Sequence, residues 1–328
     1  MRALTYNVNQ DQFELTDLPI PDPKASEVLV KVQACALNPI DSKIVNWHAL
    51  VPDMGTDFVV GLDVVGQITK LGSGVSQYKV GDQVLFHGDM LSKQGGLAEY
   101  TIQPANAMLH LPSNISVSVA ASSPCTGWTA WRALVDRLKI QNKESIFISG
   151  ASGGVGSFAV QIAKHFGVKN IIASCSATNI DYVKSLGASS VIDYNTQDVV
   201  GQVGALTNHL GVDVALDCVG KESEIQCANM LKYEGALVSL VEVANLRNYN
   251  DAKARGLTVH QLSLGAGYRN GSKGLDTIFE TGRAVTNLLV QGKLKAPPLN
   301  EIPLEQAADV LLRMRKHGSN MKTVVIFT

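Results

Sequence analysis

A surplus of basic charge is missing from this sequence: 28 Lys and Arg stand against 29 Asp and Glu, a formal net charge of −1. Without a positive field there is little to draw a phosphate backbone, so nucleic acid is not expected as a partner. No apolar run approaches the length that crosses a bilayer, so no membrane span is expected. The five cysteines, at 35, 125, 175, 218 and 227, are odd in number, far apart and free of any C-x-x-C pair. That pattern argues against a disulfide framework and against a zinc knuckle. The opening MRALTYNVNQDQFEL lacks the charged-then-apolar layout of a secretion signal, and a reducing cytoplasm is the expected address. Internal repeats and low-complexity tracts are absent too. What remains is a chain of 328 residues, 45% hydrophobic, with enough apolar material for a substantial core and enough length for two domains.

The stretch that organises the rest is ESIFISGASGGVGSFAVQIAK, residues 144 to 164. The apolar run Ile146 to Ser149 reads as a buried strand. A small-residue turn with Gly150, Gly153, Gly154 and Gly156 then leads into a helix carrying Phe158, Val160, Ile162 and Ala163. The turn departs from G-x-G-x-x-G only where Ala151 replaces the first glycine. Before it, up to about residue 120, short β-type runs alternate with turn chemistry: Ala3 to Tyr6, Val28 to Val32, Phe58 to Val60, Val64 to Ile68, Gln83 to Phe86 and Leu97 to Ile102. After it, strands at Ile171 to Ser174, Val191 to Ile192, Val214 to Asp217, Ala236 to Leu240 and Thr258 to Leu262 alternate with helices, which calls for a parallel sheet covered on both faces. Helices over Leu275 to Gln291 and Leu304 to Lys316 and a closing strand, Thr323 to Phe327, end the chain, the strand expected to rejoin the first domain.

With these segments placed, CALNPIDSKI, GLDVVGQI, VGDQV, GGLAEY, ASSPCTGWTAW, SGASGGVGSFAVQIAK, VKSLGASSVIDY, VDVALDCVG and PLEQAADV occur in an order that resembles the zinc-independent quinone oxidoreductase branch of the medium-chain dehydrogenase/reductase superfamily. The resemblance implies an α/β protein. A GroES-like β-rich catalytic domain takes residues 1–121 and 267–328, and a Rossmann domain with a doubly wound parallel sheet takes residues 122–266.

It also separates two chemistries. Zinc-dependent relatives place a cysteine, a His-Glu pair and a second cysteine around the metal; here Asn38, Leu62-Asp63 and Cys125 occupy those positions. An amide and a leucine cannot supply the thiolate and imidazole that tetrahedral zinc prefers, so no metal is expected, and Cys125 reads as a small buried apolar residue. The segment that would hold the family's structural zinc, residues 88 to 105, has no cysteine.

For the cofactor, Gly153 lets a backbone approach a pyrophosphate, and the helix start beyond it offers free N–H groups and a favourable dipole. The resemblance places Ser152, Gly153, Gly154, Val155 and Gly156 around the phosphates and adds Cys218, Val219 and Tyr194 as further contacts, Tyr194 being equally readable as a strand-end aromatic. About twenty residues past the turn, where an acid would bind the ribose of NADH, stands Ser174-Cys-Ser-Ala-Thr-Asn179. With no carboxylate there, Ser174, Ser176 and Asn179 favour NADPH, although no Arg or Lys accompanies them.

The catalytic residues implied are Asn38 and Asp41, in a loop beside the nicotinamide, and Thr129, which could equally be packing inside a helix. Asn38 carries a donor suited to a developing oxyanion. No residue stands out as a proton donor, and water can serve. The loop Leu264 to Gly274, rich in glycine, reads as mobile, with Tyr268 and Arg269 available to substrate or merely at the surface. The function expected is metal-free hydride transfer from NADPH to a quinone or an α,β-unsaturated carbonyl, by a homodimer joined through Thr258 to Leu262. The alternatives are a zinc-type alcohol dehydrogenase and a cofactor-binding protein with little turnover.

Overall fold

The computed structural model describes residues 1–51, 54–316 and 321–327. The chain divides into two compact units, one made of Met1–Cys125, Gly265–Gly292 and Ala296–Thr328, the other of Thr126–Leu264 with Lys293–Lys295.

The first unit opens with strands β1 (Arg2–Asn7), β2 (Gln12–Asp17) and β3 (Glu27–Ala36), the short helix α1 (Pro39–Ser42), strands β4 (Phe58–Val59), β5 (Asp63–Leu71), β6 (Gln83–His87), β7 (Tyr100–Pro104) and β8 (Leu109–His110), and helix α2 (Val117–Ala121). β2, β1 and β4 form a small antiparallel sheet, while β3, β5, β6 and β8 run in a larger one, with β7 also on β3. β3 and β5 are buried along most of their length, as strands inside a closed β structure must be, so they read as near-continuous apolar runs. β2 was not legible, because Gln12 to Asp17 mixes charged and apolar residues on a half-exposed edge. The run Leu97 to Ile102 proves to serve two partners. Leu97 and Ala98 meet β1, through Leu4 N–H to Leu97 O at 2.7 Å and a bridge from Ala3 to Ala98, and β7 begins only at Tyr100 to pair with β3.

The second unit starts with a helical stretch in which the three residues of α3 (Thr129–Trp131) lie between two π-helical turns, Pro124–Trp128 and Arg132–Arg137. Then follow β9 (Ser145–Ile148), α4 (Gly154–His165), β10 (Asn170–Cys175), α5 (Ile180–Leu186), β11 (Ser190–Asp193), α6 (Val199–Leu206), β12 (Val212–Asp217), α7 (Glu222–Asn229), β13 (Leu231–Ser239) and β14 (Thr258–Gln261). All pair in parallel in the order β11-β10-β9-β12-β13-β14, the doubly wound arrangement of a Rossmann fold. The order reverses between β9 and β12, so the turn after β9 and the turn after β12 sit side by side at the carboxyl edge. Phe147, Ile172, Val212, Ala215 and Leu237 fill the core, each large apolar side chain stabilising by roughly 1.5–3 kcal/mol through removal from water. Lys293–Lys295 belong here because Gln161 of α4 holds Lys295 by both its N–H, at 2.8 Å, and its carbonyl, at 3.0 Å.

The chain returns to the first unit with α8 (Gly271–Val290), β15 (Leu299–Ile302), α9 (Ala307–Lys316) and β16 (Lys322–Ile326). β16 runs antiparallel to β3 and parallel to β15, so the closing strand completes the larger sheet.

Candidate active site

In the Rossmann unit the glycine turn needs its glycines for two separate reasons. Gly150 has φ +60°, a left-handed conformation that a side chain resists. Gly156 lies where a Cβ would come within 2.4 Å of Gly150 O and 2.7 Å of Ala151 Cα, so α4 can press against the turn only if this residue has no side chain. Gly153 is the N-cap of α4, and Gly154, Val155 and Gly156 form its first turn, whose amides have no partner within the helix. Ser152 to Val155 are half-buried, open enough to meet an anion at that helix start.

The neighbouring turn is held by Asp217, a carboxylate with no exposed surface at the end of β12. It accepts hydrogen bonds from the Ser149 hydroxyl at 2.8 Å, Gly220 N–H at 2.8 Å, the Ser223 hydroxyl at 2.8 Å and Val219 N–H at 3.3 Å. Cys218 N–H in turn donates to Ser149 Oγ at 3.0 Å, which ties both carboxyl-edge turns together. Val219 stays 54% exposed, presenting an apolar surface beside the glycine turn. Burial, and then the Asp217 charge, push the Cys218 thiol well up, so it remains a thiol.

Past β10, Asn179 Nδ2–H donates to Ser176 Oγ at 2.8 Å, and Ser176 and Thr178 hydroxyls are 3.2 Å apart. Ser174 and Asn179 are buried, Ser176 is half-buried, and Tyr194 is exposed. The structure adds a carboxylate that counting along the chain missed. Asp193, at the end of the adjacent β11, stands opposite Cys175 in the sheet register. Its oxygens accept from the Thr196 hydroxyl at 2.8 Å and Asn195 N–H at 3.1 Å, and these bonds hold its carboxyl below the usual range. It is turned into its own loop.

The first unit contains a different construction. Strand register alone gathers its parts: Asp63 faces Ala36 of β3 on one side and His87 of β6 on the other, and β16 pairs with the last residues of β3. Asp63, with no exposed surface, accepts from His87 Nδ1 at 2.9 Å, Cys125 N–H at 2.9 Å and Asn38 Nδ2–H at 2.9 Å, and Lys322 Nζ lies 3.5 Å away. The buried Lys322 ammonium also donates to Leu37 O at 3.0 Å and to Asn38 Oδ1. Asn38 spends its other amide hydrogen on Ala36 O at 3.3 Å, and its backbone N–H donates to Asp41 Oδ2 at 2.8 Å. Asp41, at α1, is 2% exposed. Burial, and then the neighbouring Asp63 charge, push its carboxyl up to about 7.

The amide expected to donate to a substrate oxygen is therefore engaged on all sides within this cluster, and Asn38 has no exposed surface. Thr129 is buried at the first residue of α3. Within the loop expected to be mobile, Leu264–Arg269 form a 3-10 helix, and the Tyr268 hydroxyl donates to His87 O and accepts from Gln103 Nε2 at 2.8 Å. His48 braces its own turn, Nδ1 lying 2.9 Å from Val45 O. Lys322 and His87 were missed entirely. A lone lysine beginning a strand and a histidine ending one carry no local signal; they matter because register brings both to Asp63.

A catalytic zinc does not fit these residues. Asn38 and Asp63 have their lone pairs and hydrogens spent on one another and on Lys322, Leu62 has no donor, and burial pushes the Cys125 thiol far up, away from thiolate. The Lys322 ammonium already places a positive charge there, which repels a dication. Among the described residues no group of three or more His, Cys, Asp or Glu is arranged to hold a metal ion.

Residues 24–113 match the alcohol dehydrogenase GroES-like domain and residues 154–281 the domain described as zinc-binding dehydrogenase. A chloroplastic quinone-oxidoreductase homolog from Spinacia oleracea is 38% identical over 202 residues, 59% of this chain and 60% of that protein. The chain thus spans about three fifths of the length of the chloroplast relatives it matches. A zinc-type alcohol dehydrogenase-like protein from Staphylococcus epidermidis is 32% identical over 254 residues, 75% of this chain and 73% of that protein. The solved quinone oxidoreductase from Coxiella burnetii superimposes with a TM-score of 0.85 at 25% identity, covering 100% of this chain and 99% of that one. Both domain matches, the strand order and the Staphylococcus relative agree: this chain belongs to the medium-chain dehydrogenase/reductase superfamily, in its quinone oxidoreductase-like branch.

Proposed function

We propose that the protein is an NADPH-dependent oxidoreductase that passes a hydride, without metal, to a quinone or to the β-carbon of an α,β-unsaturated carbonyl. The observation that carries this reading is the glycine turn, whose open helix start suits a pyrophosphate; Asn38 and Asp63, bonded to one another and to Lys322, add the absence of a fitting zinc site. The names of the spinach and Coxiella relatives support the quinone side of it. An Aspergillus terreus trans-enoyl reductase, 35% identical over 221 residues, supports the enone side.

The residues divide the work by chemistry. Ser152, Gly153, Gly154, Val155 and Gly156 receive the pyrophosphate on backbone amides and the helix dipole. Ser174, Ser176 and Asn179 offer hydroxyl and amide groups to the 2′-phosphate, with Tyr194 beside them. Cys218 and Val219 present the edge pinned by Asp217, and Thr129 lies against the nicotinamide end. NADPH supplies two electrons and a hydride. Asn38, locked by Asp63 and Lys322, shapes and rigidifies the loop bearing Asp41 rather than donating directly. The exposed edge of β14 serves a two-fold continuation of the sheet into a homodimer, which a solution mass twice that of the chain would support.

The test uses the purified full chain. Fluorescence titration is expected to give tighter binding of NADPH than NADH, and a panel of quinones and enones is expected to include acceptors that oxidise bound NADPH. Binding without oxidation by any acceptor would leave a cofactor-binding protein; neither binding nor oxidation would reject the reading.

A further inference from the structure

The two buried carboxylates of the first unit are satisfied very unequally. Asp63 collects His87, Cys125 N–H, Asn38 and the Lys322 ammonium. Asp41 has, among the described residues, the single hydrogen bond from Asn38 N–H at 2.8 Å. One lysine cannot compensate two buried negative charges, and leaving a net charge in such a site costs several kcal/mol, so the less favoured carboxyl keeps a proton. A buried acid that keeps its proton near neutral pH is suited to give that proton up in a reaction.

Asp41 also has somewhere to send that proton. It lines a cavity of about 10 Å³, room for about one water, walled by Ile44, Trp47, Phe58, Leu62 and Met90. The rim, at Asp89, Met90 and Ser92, is half-buried, while Asp63 and Asn38 behind it have no exposed surface. Of the carboxylates in the cluster, Asp41 is the one on the cavity wall. The groups facing it are Cys35 from β3, its thiol pushed up by burial, Asp63 from β5, His87 from β6 and Lys322 from β16. From α9 comes Arg315, whose Nε–H donates to Ser42 O at 2.7 Å, and Asp89 stands at the rim.

We propose that Asp41 is the general acid of the reaction, delivering its carboxyl proton through one water in this cavity to the α-carbon of a reduced enone. The inference rests on the reductase reading above and supplies the proton donor that reading leaves open. Hydride addition at the β-carbon brings two electrons and leaves an enolate. The water O–H bond then breaks as the α-carbon C–H bond forms, the carboxyl O–H bond breaks as its proton passes to that water, and the Asp41 carboxylate recovers a proton from solvent.

Asp41→Asn preserves the acceptor for Asn38 N–H and removes the acid. The infrared difference spectrum of wild type minus D41N, recorded without cofactor at pH 6, is expected to show a protonated-carboxyl band that titrates away with a midpoint of about 7. With NADPH and an enone, kcat of D41N is expected to fall by roughly 10²–10⁴, with NADPH affinity retained. The wild-type kcat should decline above pH 7, a limb that D41N lacks. The wild-type infrared titration stands even where D41N folds poorly. A missing band, or enone turnover unchanged in a folded D41N, overturns the acid role alone. A band present in a wild type that reduces quinones but no enone overturns the acid role alone, and one in a wild type that reduces neither overturns the reductase reading and the acid role with it.

Discussion

Each unit holds a carboxylate with no exposed surface at the end of a central strand, and the two are satisfied by opposite means. Among the described residues Asp217 accepts from neutral donors, Ser149, Val219, Gly220 and Ser223, three of them within six residues of itself. Asp63 draws on residues 38, 87, 125 and 322, and one of these is an ammonium. The difference matches the tasks. Asp217 shapes the backbone edge to which the proposed function assigns the cofactor, and it needs no charge balance beyond oriented dipoles. Asp63 is balanced instead by the Lys322 ammonium, a positive charge that is covalently part of the chain and held on strand β16.

The contrast can be broken hardest at Asp63. Asp63→Ala strands the Lys322 ammonium without its carboxylate, and urea unfolding is expected to show a loss of about 3–5 kcal/mol. Adding Lys322→Met to that variant should recover part of the loss, because the pair then leaves together. Equal losses for the single and double variants would mean that the ion pair is not what Asp63 is for.

The next effect is on pH. Folding raises the Asp41 carboxyl from 3.8 to about 7, so between these values the native state binds the proton that the unfolded state releases. This contribution to stability is fully present below pH 3.8 and is lost as pH rises through 7, by at most about 4 kcal/mol. Denaturation midpoints for wild type and Asp41→Asn, compared at pH 5 and pH 8, should therefore cross over in favour of the variant at the higher pH. Parallel curves would show that Asp41 ionises in the folded protein as freely as in the unfolded one.

Asp217→Asn tests the other hub more gently. It turns an acceptor into a donor facing donors, with an expected cost of about 1–3 kcal/mol and weaker NADPH binding, since Cys218 to Gly220 lose their anchor. A stability loss without any change in NADPH titration would separate the turn from the cofactor. The smallest effect is expected from Ser176→Ala, roughly tenfold in the NADPH to NADH affinity ratio, as for one hydrogen bond to a charged group. A ratio that does not move would shift attention to Asp193 and the β11 end.

These regions were also unequally legible. The Rossmann strands, the glycine turn and Ala151 in place of the first glycine read directly, because a strand, a turn and a helix in succession encode their own geometry. Among the strands of the first unit, β2 and the split of Leu97 to Ile102 between two partners did not, since edge pairing depends on which strand lies alongside. Tyr268 looked like a free loop residue for the same reason: Gln103 and His87, its partners, are more than 160 positions away.

By itself the sequence determined the parallel sheet, the glycine turn that opens helix α4, and the presence of an amide and a leucine at 38 and 62. Those are matters of local periodicity and of which atoms a side chain carries. Only the tertiary structure decided what surrounds Asp63: register brings it between Ala36 and His87 and lays β16 along β3, so Lys322 reaches Asn38 and Asp63, and Asp41 is left buried with, among the described residues, one hydrogen bond to its carboxyl. Charge balance among buried groups belongs to the assembled unit, where residues 38 and 322 become neighbours.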